Sequence, residues 1–214
     1  MVYLLGTTWD YLGHLCYYLR MRTATKCEYC AEDIFPAGKG PVPKTCSDRC
    51  RKAAYRASRK TNVPAELLVQ PRWVRYKEVF NGKRKTKIPI TADARIASST
   101  NSDTWTDYAT AHKSRAGDGL GFVLNGDGIM CIDLDHCVED GEVNQLALDF
   151  IESLPETYIE FSPSGDGLHI WGFGSVAKGS RKVVNGLNVE TYSDGRYMTV
   201  TNQPFMKAPL AQLT

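Results

Sequence analysis

Seven consecutive residues, Ile129-Met130-Cys131-Ile132-Asp133-Leu134-Asp135, set two carboxylates one residue apart in an otherwise apolar run. A run this short and apolar predicts a buried strand. Side chains in a strand alternate faces, so Asp133 and Asp135 point the same way with Cα atoms roughly 6.6 Å apart. Acids in such a strand need partners that offset their desolvation, and divalent cations are the usual ones. A third acid, Glu190, stands between Val189 and Thr191 in another strand-forming run. Three converging carboxylates favour Mg²⁺ or Mn²⁺, which take hard oxygen ligands together with phosphate and water. Between these acids, Ser162-Pro163-Ser164-Gly165-Asp166-Gly167-Leu168-His169 leads a histidine into a strand behind two glycines, which let a phosphate chain approach the backbone closely. A lone histidine on a strand reads as an ordinary core residue; the loop ahead of it turns the reading toward function. Together the pieces predict one metal-dependent phosphoryl-transfer site.

Four of the seven cysteines form a second pattern: Cys27 and Cys30, then fifteen intervening residues, then Cys46 and Cys50. Two thiolate pairs at this separation suit a tetrahedral structural Zn²⁺ site. Two disulfides are the competing reading, but the opening segment lacks the basic region and small-residue cleavage site of an export signal. The expected compartment is therefore reducing, the cytoplasm, and that of a bacterial host if the chain is phage-encoded. No stretch is long and apolar enough to cross a bilayer, so no membrane partner is expected. Charge divides the same way as the cysteines. Up to Lys60 there are 11 Lys and Arg against 5 Asp and Glu, and from Thr61 onward 15 against 19, within an overall balance of only +2. After Cys50, Arg51-Lys52-Ala53-Ala54-Tyr55-Arg56-Ala57-Ser58-Arg59-Lys60 predicts a basic helix, which serves equally as a phosphate-contacting surface or as a solvated face. The segment resembles short Cys-x-x-Cys to Cys-Ser-x-x-Cys-Arg modules at the front of some actinobacterial and phage proteins.

The resulting organisation is a leader or mis-assigned start at 1–20, with Met21 as the alternative start, a zinc module with a basic helix at 21–60, a linker at 61–71 and a catalytic domain at 72–214. In that domain Trp73–Tyr76, Lys87–Ile90, Leu120–Leu124, Ile129–Asp135, Tyr158–Ser162, Gly167–Phe173, Gly186–Thr191 and Arg196–Thr201 read as strands. Asn81-Gly82 reads as a hairpin turn, and Leu120–Leu124 with Ile129–Asp135 as a strand pair around Asn125-Gly126-Asp127-Gly128. Helices are expected over Asp107–Lys113 and Asn144–Leu154, the second stopped by Pro155. The fold class is α+β, a sheet with helices packed on one face.

The ordered trio from about Trp73 to Thr201, a hydrophobic D-x-D strand, an S-P-S-G-x-G-x-H loop and a later hydrophobic-acid strand, resembles the primase-polymerase (prim-pol) branch of the archaeo-eukaryotic primase superfamily in its phage and plasmid form. The resemblance implies an RRM-like palm plus a small α/β unit, preceded here by the four-cysteine module. It implies that Asp133, Asp135 and Glu190 hold the catalytic metals and that His169 contacts the incoming nucleotide's phosphates. Ser164, Gly165 and Gly167 would cradle that nucleotide. Arg196, in Gly195-Arg196-Tyr197, is a candidate triphosphate clamp, because a guanidinium fork suits phosphate oxygens. Lys85 and Lys87 ahead of Pro89, with Arg51 and Lys52, are candidate template contacts, and Lys83, Arg84, Arg181 and Lys182 are further basic candidates. Implied partners are a single-stranded DNA template and nucleoside triphosphates. The 214 residues contain no G-x-x-x-x-G-K-[ST], so a replicative helicase is expected as a separate protein.

Three functions compete: template-directed nucleotidyl transfer, a metal-dependent nuclease or phosphodiesterase, and a non-catalytic zinc DNA-binding accessory protein. Acids and metals serve hydrolysis as well as synthesis. Intact acids at all three positions argue against a relic core. A rolling-circle nickase needs paired histidines around one hydrophobe, and His169-Ile170-Trp171 has only one.

Overall fold

The computed structural model describes residues 24–27, 29, 30, 32–35, 43–58 (backbone alone at 55–58) and 61–214. The leader at 1–20 and the alternative start at Met21 lie outside the described residues. The chain divides into two compact units, Met1–Arg59 and Lys60–Thr214.

In the first unit, strands β1 (Thr25–Lys26) and β2 (Asp33–Ile34) pair antiparallel, and helix α1 spans Asp48–Ser58. Ser47 starts the helix by accepting a hydrogen bond from the Cys50 amide through its hydroxyl at 3.2 Å. Among the described residues Cys27, Ile34 and Cys50 make a core of three side chains. A core that small leaves little hydrophobic driving force, the situation in which a metal or cross-link usually supplies stability.

The second unit contains two larger sheets. The first is four-stranded, in the order β13 (Arg196–Val200), β5 (Gly119–Leu124), β3 (Trp73–Phe80), β4 (Lys85–Ile90). The second runs β11 (Ser180–Val184), β12 (Leu187–Tyr192), β6 (Ile129–Asp135), β10 (Leu168–Phe173), β9 (Ile159–Phe161), β14 (Pro204–Met206), with β15 (Ala211–Gln212) parallel to the end of β10. A short hairpin, β7 (Val138–Glu139) with β8 (Glu142–Val143), follows β6.

Alternation along β6 decides what each face meets. Ile129 and Cys131 enter a core shared with Trp73, Phe122 and Leu124 of the four-stranded sheet and with Trp171 and Tyr192 of their own. An edge-on ring contact of Phe122 with Trp171 at 5.8 Å joins the two sheets, and one of Trp73 with Phe122 at 5.1 Å braces the four-stranded sheet, each such pair adding about 0.5–1.5 kcal/mol beyond burial. Val63 and Leu67, the latter on the one-turn helix α2 (Ala65–Leu68), pack into the same core. Met130, Ile132 and Leu134 face the other way, into a core with Ala147 and Ile151 of helix α4 (Gln145–Glu152). Asn144 caps that helix, accepting from the Ala147 amide at 2.9 Å, and Asp107 caps helix α3 (Tyr108–Lys113) in the same way.

The expected mixture of strands and a few short helices is present, and Asn81-Gly82 does turn β3 into β4. Two expectations are corrected: the strands form two sheets that share a core, where one sheet with helices on one face was expected, and the pairing across the glycine-rich turn differs. β5 and β6 do not pair; the chain changes sheets at Asn125–Gly128, where Gly126 and Gly128 take φ of +81° and +98°. The buried Arg72 holds that turn open, donating to Asn125 and ion-pairing with Asp127 at 2.8 Å. Local turn chemistry suggested a hairpin, but apolar residues on both faces of β6 required cover on both sides. Among the described residues no helix is long and apolar enough to cross a membrane.

Candidate active site

Register across the larger sheet builds the site. Arg181 on β11 stands opposite Glu190 on β12, Glu190 opposite Asp133 on β6, Asp133 opposite His169 on β10, and His169 opposite Glu160 on β9. Directly paired residues share a face, so five charged or titratable side chains lie in one row on the face that carries Cys131 and Trp171 one step away. Where the four-stranded sheet stops covering this face, it opens into a cleft of about 710 Å³. Asp133, Asp135, Glu190, His169, Ser164, Arg181 and Arg196 line it, together with Arg84 from the β3–β4 turn and Lys85 and Lys87 from β4.

Asp133, Asp135 and Glu190 each bring a carboxylate oxygen to within 4.8 Å of the others. Neither Asp133 nor Asp135 accepts a hydrogen bond from a described residue; Asp133 meets His169 Nε2 at 3.6 Å. Burial, reinforced by the charges of Asp135 and Glu190 and only partly offset by His169 and Lys87, pushes the Asp133 carboxyl up from 3.8 to about 6. Burial and then Glu190 raise Asp135 as well. Like charges crowded without donors fit a divalent cation, and this triad could hold one.

Glu190 is held differently. Arg181 Nε lies 2.7 Å from one of its oxygens, and Tyr192 Oη donates to the other at 2.6 Å. Arg196 reaches it at 3.8 Å while its guanidinium lies 4.0 Å above the Tyr192 ring. Arg181, weighed in the sequence as one of several basic surface residues, is thus an ion-pair partner of the third acid. Lys85 is exposed and 3.6 Å from Glu78. Arg51 and Lys52 are exposed on α1 in the other unit.

His169 is buried. Burial alone would lower its pKa, but Glu160 and Asp133 outweigh that and raise it. The loop before it is tied to the end of β6: the Cys137 and Val138 amides donate to the Asp166 carbonyl at 2.8 and 3.0 Å, and His136 Nδ1 lies 2.8 Å from the Asp166 carboxylate. Ser164 donates to the same carboxylate and contacts Ser162 at 2.9 Å. Gly167 passes so close to β6 that a Cβ there would lie 2.5 Å from the Leu134 carbonyl oxygen, and Gly165 takes φ +82° at the turn.

Sequence reasoning missed Glu160. It is fully buried and meets His169 Nδ1 at 3.9 Å, longer than a hydrogen bond but within ion-pair range. The signal was present: Tyr158-Ile159-Glu160-Phe161 is another acid in an apolar strand, the same argument that singled out Asp133.

In the first unit the four cysteine sulfurs also lie within 4.8 Å of one another, with Cys30–Cys46 and Cys46–Cys50 at 3.5 Å. Tetrahedral zinc with sulfur bonds of about 2.3 Å sets its sulfurs roughly 3.8 Å apart. Burial opposes the Cys27 thiolate, yet the backbone amides of Cys30, Cys46 and Tyr29 bring it down to about 6. The Glu32 amide pulls the Cys30 thiol down, but bonding with Cys27 and Cys46 outweighs it and pushes Cys30 up to about 12.

No family model matches the chain. Over 143 residues it is 38% identical to a protein named DNA Primase-polymerase from Nitratiruptor phage NrS-1. The match covers 62% of this chain and 19% of that protein, so the chain spans about a fifth of its relative's length.

Proposed function

We propose that this chain is a template-directed nucleotidyltransferase, a DNA primase-polymerase that joins nucleoside triphosphates on single-stranded DNA during phage or plasmid replication. One observation carries the reading: Asp133, Asp135 and Glu190 converge from two paired strands with His169 in the same row, at the mouth of a cleft whose opposite wall is basic. The 38% identity to a phage protein named DNA Primase-polymerase supports it.

Asp133, Asp135 and Glu190 would hold Mg²⁺ or Mn²⁺, and Cys27, Cys30, Cys46 and Cys50 would hold a structural Zn²⁺. When bound, the divalent ions favour ionisation of the attacking 3′-hydroxyl and neutralise charge on the leaving pyrophosphate. The bond formed joins the 3′-oxygen to the α-phosphorus, the bond broken releases pyrophosphate, and the hydroxyl proton passes to solvent. The protein's part is position and electrostatics. His169 directs Nε2 to the phosphate side of Asp133, and the Ser164–Gly167 loop brings backbone close to the triphosphate. Arg196, free to leave its stacking on Tyr192, offers a fork to the β- and γ-phosphates. Lys85 and Lys87 on the second unit, with Arg51 and Lys52 on α1, neutralise template phosphates. The catalytic domain is 72–214 and the zinc module 21–60.

The experiment is incubation with single-stranded template, a labelled primer, nucleotides and Mn²⁺. Template-dependent extension supports synthesis. Shortening of the template would support the nuclease, and template binding with neither product would support the accessory protein.

A further inference from the structure

Glu160 is the only fully buried carboxylate among the described residues, and the mechanism above gives it nothing to do. It lies one strand beyond His169 in the charged row, so the imidazole is flanked on both sides: Nε2 is 3.6 Å from Asp133 Oδ1, and Nδ1 is 3.9 Å from Glu160 Oε1. The carboxylate is itself fixed. Its Oε2 accepts from Tyr158 Oη at 3.1 Å, the Thr201 amide and hydroxyl at 3.2 Å each, and the Asn202 amide at 2.9 Å. Its Oε1 accepts from Trp171 Nε1 at 3.3 Å and points to His169. Every hydrogen-bond partner is a donor, so the group is set to accept throughout.

An imidazole has two unlike nitrogens, and the bond made by one decides what the other presents. A ring turned over about its Cβ–Cγ axis would set carbon where nitrogen is needed. We propose that Glu160 is a positioning residue: its fixed carboxylate is the ion-pair neighbour of His169 Nδ1, a buried nitrogen with no hydrogen-bond partner among the described residues, and it holds the ring so that Nε2 faces Asp133 and the nucleotide's phosphates. The inference rests on the nucleotide reading of the cleft only for what Nε2 meets; the ring lock stands on the apo protein.

Glu160→Gln is a sharp probe, because the surrounding donors dictate how an amide must sit. The bonds into Oε2 from Tyr158 Oη and from the Thr201 and Asn202 amides require the amide oxygen there, which leaves the NH₂ facing His169 Nδ1 and the Trp171 Nε1–H. The substitution therefore replaces an acceptor with a donor at almost unchanged volume. Long-range ¹H–¹⁵N spectra of the metal-free protein should show a proton on His169 Nδ1 in the parent and none there in Glu160→Gln. In primer extension the variant should raise the nucleotide KM about tenfold, the lower end of what losing an outer partner of a site ligand costs, with the template KM unchanged. In a His169→Ala background it should do nothing further.

A parent His169 lacking the Nδ1 proton, or an unchanged spectrum in Glu160→Gln, overturns the proposal. So does a KM effect that adds to that of His169→Ala, which would make Glu160 a structural anchor for Thr201 and Asn202. Should the variant fail to fold, the parent spectrum alone decides. Absence of any nucleotide binding or synthesis by the parent defeats the functional reading, and the ring spectrum still tests the lock.

Discussion

At the residue scale, Asp133 shows what the site costs the fold. Its carboxyl rises from 3.8 to about 6 on burial beside Asp135 and Glu190, so the folded chain binds a proton that the unfolded chain releases. Stability from this group is therefore fully present below about pH 4 and declines as pH rises to about 6; above that the penalty is at most about 3 kcal/mol. Asp133→Asn should raise the melting temperature of chelator-treated protein at pH 7.5 by about 5 °C, and the gain should vanish near pH 4. The same change should lower nucleotide incorporation at least about a hundredfold. A variant melting at the parent's temperature across that pH range would show that burial does not penalise the charged Asp133 carboxylate. Gly167 is a constraint of another kind. With a Cβ only 2.5 Å from the Leu134 carbonyl, Gly167→Ala must push the loop off β6, costing on the order of 1–3 kcal/mol, read by thermal unfolding.

At the element scale, β6 explains why both acids are possible. Its even positions pack on α4 and its odd positions start in the inter-sheet core, so Asp133 and Asp135 reach the cleft only because that face loses its cover. The central strands were legible because apolar residues and turn glycines bound them, but β3 runs four residues past the expected Trp73–Tyr76, and the polar edge strand β11 and the short β14 and β15 left no apolar pattern to read. The β5–β6 pairing was not legible, since a Gly-rich turn reads the same whether the strands it joins pair or part; a buried Arg72 decided it. In the other unit, two of the three described core side chains, Cys27 and Cys50, belong to the four-sulfur cluster, which ties the start of α1 to the strand pair. Treating the protein with a strong zinc chelator should release about one zinc per chain and remove the helical signal of α1 from circular dichroism. Retention of that helix after complete metal loss would contradict the assignment.

At the scale of the whole molecule, near-neutral net charge conceals a cleft with acids on one wall and Arg84, Lys85, Lys87, Arg181 and Arg196 around it. Such a surface binds polyanions through local field rather than overall charge. Removing Lys85 and Lys87 together should lower the salt slope of single-stranded DNA binding by about 1.4, at roughly 0.7 per phosphate contact, measured by fluorescence anisotropy over a salt series. An unchanged slope would move the template elsewhere. By itself the sequence determined which side chains are candidates: three acids in apolar strands, a histidine behind a glycine loop and two cysteine pairs, because burying such groups is unfavourable unless they act together. Only the tertiary structure decided which residues stand side by side. Strand register across five strands brought Glu160 behind His169 and Arg181 beside Glu190, and register is set by packing on both faces of the sheet, which no local pattern in the chain encodes.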